Sequence, residues 1–134
     1  MPPKGNRGRS GMRILIVEDN DQYRQILKDA LTIGQHTVFS AANGKSALQI
    51  LDETSVDIVI CDVEMPEMKG TELHARLRQD PRFQRLPFLY LTGYSDLRLL
   101  VKELGDSFVR VLNKLTPFRE ILNTANEMAS QSSG

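Results

Sequence analysis

Four short apolar runs in this chain each end in residues equipped for chemistry. Ile14-Leu15-Ile16-Val17 leads into Glu18-Asp19, Ile58-Val59-Ile60-Cys61 into Asp62, the run through Leu91 into Thr92, and the run through Leu112 into Asn113-Lys114. Three carboxylates, a hydroxyl and an amine thus stand at comparable positions. If the acids converge they need compensation, since two unit charges about 4 Å apart repel by roughly 4 kcal/mol at an effective dielectric near 20. A hard divalent cation such as Mg²⁺ resolves the repulsion, because it takes carboxylate oxygens together with waters and a phosphate oxygen. Asp62 would then be able to attack phosphorus, with Lys114 and the cation balancing the charge on the phosphoryl oxygens. Helix capping accounts for Asp19 by itself, just ahead of a helix, but not for three acids on two run ends.

The elements that must position these residues follow from two alternating periodicities. Strands are predicted over 13–17, 37–41, 57–61, 87–91 and 108–112, where continuous apolar runs carry β-branched residues. Between them, Tyr23, Ile26, Leu27, Ala30 and Leu31 have the spacing of a helix laid on a core. The pattern recurs at Ala47, Ile50 and Leu51, at Leu73 and Leu77, at Leu97, Leu100, Val101 and Leu104, and at Phe118, Ile121, Leu122 and Ala125. Five strands alternating with five helices predict an α/β, (βα)5 chain with a parallel sheet covered on both faces. Asn43-Gly44 opens the second helix, Gly105 ends the fourth, and Thr116-Pro117 supplies an N-cap and a first-position proline for the fifth. Ligands of such sheets bind beyond the carboxyl ends of the strands. In the doubly wound order 2-1-3-4-5 the first and third strands are neighbours, which brings Glu18, Asp19 and Asp62 to the switch point.

A chain of 134 residues with 40% apolar content has room for one domain with a sizeable core. Its 17 basic and 17 acidic residues cancel, which argues against bulk binding of DNA or an acidic membrane. Residues 1–12 carry Lys4, Arg7 and Arg9 and no acid, leaving 14 bases against 17 acids, a net of −3, for the rest. We expect a basic disordered tail over 1–12, a domain over 13–129 and a second disordered tail over 130–134. The single cysteine, Cys61, reads as a small buried hydrophobe in a reducing cytoplasm. No apolar stretch reaches the roughly 18–20 residues that would span a bilayer. His36 and His74 lack Cys or His neighbours at zinc-ligand spacing and read as structural. Neither a glycine-rich phosphate cradle nor a nucleophile elbow is present.

The segments ILIVEDN (14–20), IVICDVEMPEMKG (58–70), LYLTGYS (89–95) and RVLNKLTPF (110–118) resemble, in order and spacing, the signature blocks of the response-regulator receiver domain of two-component signalling, including its chemotaxis regulators. The resemblance covers about residues 13–129 and implies a flavodoxin-like fold. It implies that Asp62 accepts a phosphoryl group from a histidine kinase or a phosphotransfer protein. Glu18 and Asp19 match the acid pair that holds Mg²⁺ with Asp62, and the backbone carbonyl of Glu64 matches a further metal ligand. Thr92 matches the hydroxyl that bonds the new phosphoryl group, and Lys114 the amine that bridges to its oxygens. Such a domain catalyses its own phosphorylation and dephosphorylation without being an enzyme toward other substrates. The resemblance also implies a surface of the fourth helix, fifth strand and fifth helix that shifts on phosphorylation and contacts an output protein, or a second copy in a homodimer. Pro66 and Gly70 fit the turn after Asp62.

Three residues depart from the family pattern. Val111 stands three before the lysine, where an aromatic residue usually couples to the threonine. Leu115 replaces the proline that usually follows the lysine in a cis peptide; a non-proline cis bond costs about 2.5–4 kcal/mol, so a trans loop is expected, and it could move Lys114. Glu64 adds a carboxylate near the path of a hydrolysing water. Two other readings stay open: a degenerate receiver that binds a partner without phosphorylation, and a small phosphatase using Asp62 and Glu64.

Overall fold

The computed structural model describes residues 11–93 and 105–133. Five parallel strands, β1 (Arg13–Val17), β2 (Thr37–Ala41), β3 (Ile58–Cys61), β4 (Phe88–Thr92) and β5 (Val109–Asn113), form one sheet in the order β2-β1-β3-β4-β5. This is the predicted order, and the third to fifth strands begin one residue later than the apolar runs do. Among the described residues four helices surround it: α1 (Asp21–Thr32), α2 (Gly44–Glu53), α3 (Gly70–Arg78) and α4 (Phe118–Ser133), with a short 3₁₀ turn at Pro81–Phe83. Helix α4 is the fifth helix of the sequence pattern. The expected fourth helix, with Leu97, Leu100, Val101 and Leu104, lies outside the described residues, as do residues 1–10 of the basic tail. No helix among the described residues is long and apolar enough to cross a membrane.

The unbroken apolar strands serve two cores because successive side chains point to opposite faces. Ile14, Ile16, Ile58, Ile60, Leu89 and Leu91 pack with Leu27 and Leu31 of α1 and Ile121, Ala125 and Met128 of α4. Leu15, Val17, Val59, Cys61, Phe88, Tyr90 and Val109 face the other way, onto Ala47 and Leu51 of α2 and Leu73 and Leu77 of α3. Cys61 is buried, as its apolar setting predicts. Within the α1 stripe, Leu27 and Leu31 are fully buried, whereas Ile26 is 53% exposed and lies outside the core. An apolar stripe wide enough to include Ile26 is wider than the contact that the sheet offers.

Both tail expectations change at their inner edges. Met12 is 1% exposed in the first core, and its amide donates to His36 Nδ1 (2.9 Å), so the folded region begins inside the segment 1–12. That bond gives His36 a structural partner. Helix α4 runs on through residues 130–133, which the polar sequence placed in a disordered tail. Met128 and Ala129 are buried at its last turns, and packing there carries a polar end that helix propensity would not hold.

Candidate functional site

Each strand end delivers its polar residue by a traceable local device. After β1 the chain turns at Asn20, whose side chain accepts the Tyr23 amide (2.8 Å) and caps α1. The capping role weighed for Asp19 therefore belongs to Asn20, and Asp19 is left exposed beside the site. The Asn20 amide donates to Glu18 Oε2 (3.0 Å), and Arg24 Nη1 donates to the Glu18 carbonyl (2.8 Å). Glu18 is consequently held at 3% exposure, an uncommon position for an acid. After β3, the Asp62 amide donates to the Val17 carbonyl (3.1 Å), tying the two strand ends together.

The turn from Asp62 to α3 depends on close approach at Gly70. A Cβ there would lie 2.1 Å from the Asp62 carbonyl oxygen, and the Gly70 amide donates to the Val63 carbonyl (2.9 Å). The left-handed position in the turn is Glu67 (φ 69°), so Gly70 is required by space and not by conformation. The Glu72 side chain accepts the Lys69 amide (3.2 Å) at the start of α3. Met68 packs over Gly44 at the start of α2, where Asn43 caps as predicted by accepting the Ser46 amide (2.8 Å).

These devices bring three of the predicted residues into direct contact. Lys114 Nζ lies 2.7 Å from Glu18 Oε1 and 3.0 Å from Asp62 Oδ2. Oxygen atoms of Glu18, Asp19 and Asp62 all lie within 4.8 Å of one another, an arrangement able to hold a metal ion. Glu64 is exposed, and its amide donates to Asp62 Oδ1 (3.3 Å). Thr92 is fully buried at the end of the neighbouring strand, and its carbonyl accepts the Lys114 amide (3.0 Å), which extends the ladder of β4 and β5 by one bond.

The electrostatics fit a compensated acid cluster. Burial raises the Glu18 pKa from its ordinary value, the Asp62 charge adds to the rise, and the bonds from Lys114 and the Asn20 amide offset part of it. For Lys114, burial works against the charged form, but the hydrogen bonds to Glu18 and Asp62 outweigh it and leave the ammonium pKa raised. The amine is therefore charged throughout the physiological range.

Tyr23, which the sequence pattern placed in a packing stripe, also belongs to this site. Its hydroxyl donates to the Lys114 carbonyl (3.3 Å), and Lys114 Nζ lies 4.9 Å from the centre of its ring. The contact spans 91 positions, so no local pattern signals it. Of the departures from the family pattern, Val111 is half-buried and pairs across the ladder with the fully buried Tyr90, which places an aromatic ring on the adjacent strand. Leu115 is 91% exposed. No peptide bond among the described residues is cis, and Lys114 reaches both acids with the loop trans.

His74 is buried, and its Nε2 bonds Asp106 Oδ2 (2.8 Å), an oxygen also bound by Arg78 Nε (2.5 Å). Its ring packs against Phe88 and Tyr90. The structural reading of His74 thus has a physical basis, in a cluster on the α2 and α3 side of the sheet.

The chain matches the family model of the response regulator receiver domain over residues 14–126. It is 35% identical over 106 residues to the sensor histidine kinase TmoS of Ectopseudomonas mendocina, a match that covers 79% of this chain and 11% of that protein. It is also 35% identical over 83 residues to the chemotaxis protein CheY1 of Helicobacter pylori, covering 60% of this chain and 67% of that one. The chain thus spans only a small part of the kinase and about two thirds of the chemotaxis protein. The crystal structure of the Thermotoga maritima response regulator TrrA, in complex with Mg²⁺ and BeF, superposes with a TM-score of 0.76 at 27% identity, covering 87% of this chain and 98% of that chain. A doubly wound sheet with an acid cluster at its switch point, matched by family and by structure, assigns this chain to the response regulator receiver domains of two-component systems.

Proposed function

We propose that the chain is a phosphoryl-accepting switch in which Asp62 takes a phosphoryl group from the phosphohistidine of a sensor histidine kinase or phosphotransfer protein. The observation that carries this reading is Lys114 Nζ spanning Glu18 Oε1 and Asp62 Oδ2 at 2.7 and 3.0 Å, with Asp19 beside them. An all-carboxylate donor set, with Asp19 open to solvent, suits a hard cation that keeps part of its water shell. Glu18, Asp19 and Asp62, with the backbone carbonyl of Glu64, would hold Mg²⁺, which when bound neutralises charge on the phosphoryl oxygens. A carboxylate oxygen of Asp62 forms the new O–P bond as the P–N bond to the donor imidazole breaks. The Lys114 ammonium moves from the free carboxylates to the phosphoryl oxygens, and the Thr92 hydroxyl donates to one of them.

New charge-assisted bonds of this kind shift the surface that carries β5 and α4, and so change the fit of an output protein or of a second copy there. The switch works in the cytoplasm without direct contact to nucleic acid or membrane. The domain promotes its own phosphorylation and dephosphorylation and turns over no other substrate. Glu64, exposed beside Asp62, sets the lifetime of the acyl phosphate; an unchanged dephosphorylation rate in Glu64→Asn would count against that role.

Incubation with Mg²⁺ and acetyl phosphate, followed by intact mass, tests the reading. A single phosphoryl adduct that is absent in Asp62→Ala supports it. No adduct in the parent would favour a phosphorylation-independent binding module, and sustained phosphate release from varied phosphomonoesters would favour a phosphatase.

A further inference from the structure

We infer that Tyr23 is the positioning residue of Lys114, holding the amine at both ends of its side chain for the transfer of the phosphoryl group. The inference takes its catalytic consequence from the phosphoryl-acceptor reading and its substance from geometry. Lys114 stands at the start of a loop in which Asn113 accepts the Leu115 amide through Oδ1 (2.7 Å) and the Thr116 amide through its carbonyl (2.9 Å), while the Leu115 side chain is 91% exposed. Its backbone is fixed on two sides, by its amide to the Thr92 carbonyl (3.0 Å) and by the Tyr23 hydroxyl to its own carbonyl (3.3 Å). The Tyr23 ring lies beneath the ammonium, 4.9 Å from Nζ, where the negative face of the ring attracts the cation.

Tyr23 is itself immobilised. Its amide donates to the Asn20 cap, and its ring is half-buried against the core shared by α1 and α4. Helix α1 thereby supplies a rigid support for an amine that comes from the opposite end of the chain. A flexible four-carbon stem held in this way loses less freedom when the phosphoryl group arrives, and pre-organisation of that kind raises the rate without new contacts to substrate.

The test uses the full chain with Tyr23→Phe, which keeps the ring, and Tyr23→Leu, which keeps only apolar packing. In the parent, the Lys114 ε-methylene resonance, assigned with Lys114→Arg, should lie upfield through the ring current. It should stay there in Tyr23→Phe and move to the ordinary lysine position in Tyr23→Leu. With acetyl phosphate, phosphorylation should slow roughly tenfold in Tyr23→Leu and about threefold in Tyr23→Phe. Mg²⁺ affinity by calorimetry should be unchanged in both, which separates positioning from general damage to the site. A parent-like rate in Tyr23→Leu, or an unmoved Lys114 resonance, would overturn the inference. If the parent takes up no phosphoryl group, the acceptor reading fails, and the resonance shifts alone decide whether Tyr23 holds Lys114.

Discussion

Replacing Gly70 by alanine sets two effects of opposite sign against each other. Gly70 is the first residue of α3, and helix propensity alone would favour alanine by about 1 kcal/mol. The added Cβ, however, would lie 2.1 Å from the Asp62 carbonyl oxygen and 3.1 Å from both the Asp62 carbonyl carbon and the Val63 Cα. Reaching even a tight 3.0 Å contact requires about 0.9 Å of movement, and the obstructing atoms are backbone with no rotamer to yield. Overpacking of this type costs about 1–3 kcal/mol. The movement also stretches the Gly70 amide bond to Val63 (2.9 Å) or the Asp62 amide bond to Val17 (3.1 Å), worth about 0.5–1.5 kcal/mol each. Strain therefore wins, and Gly70→Ala should lose about 2 kcal/mol, read as a lower urea midpoint at unchanged slope by far-UV circular dichroism. Gly93→Ala is the control, because a Cβ there meets nothing within 4 Å among the described residues. The variant should stay within about 0.5 kcal/mol of the parent. A Gly70→Ala protein as stable as the parent would refute the steric account of the turn after Asp62.

Three further outcomes follow from the site and its surroundings. Mg²⁺ at ten times its dissociation constant should stabilise the parent by about 1.4 kcal/mol in the same denaturation assay, and Asp19→Asn should remove most of that increment. Acidification below about pH 6.5 should lower stability in a way that His74→Gln reduces. Burial holds the His74 pKa down, its free Nδ1 is buried without a partner among the described residues, and folding therefore favours the neutral ring. Further acidification removes the contribution of Asp106, for which burial acts upward but Arg78, the Phe108 amide and His74 prevail and lower the pKa. Glu18, whose pKa is raised, acts in the opposite direction and adds stability as pH falls through the raised value. Finally, Leu115→Ser should leave stability within about 0.5 kcal/mol of the parent by urea denaturation, because the side chain is exposed.

The strand ends that carry Glu18, Asp62, Thr92 and Lys114 were legible because the strands are buried on both faces, whereas the strand order followed from the resemblance to the receiver family and not from periodicity. Any continuous apolar run of this kind must end where the chain leaves the core. Caps at Asn43 and Asn20 are equally local, although at the second the side chain that caps is one residue beyond the acid first considered. Boundaries were less legible: Met12 belongs to the core through a bond to His36, and α4 continues through Ser130 because Met128 and Ala129 are buried. Both depend on what lies across the sheet.

The amino-acid sequence by itself determined the alternation of strands and helices and the polar residues at the strand ends, because periodicity and turn chemistry are properties of neighbours in the chain. Tertiary structure alone decided that Lys114 bridges Glu18 and Asp62, that Gly70 is demanded by the Asp62 carbonyl, and that Tyr23 lies under the ammonium. Those contacts join residues 8 to 96 positions apart. Their distances are set by the packing of β1, β3 and β5 against common helices, which no local pattern encodes.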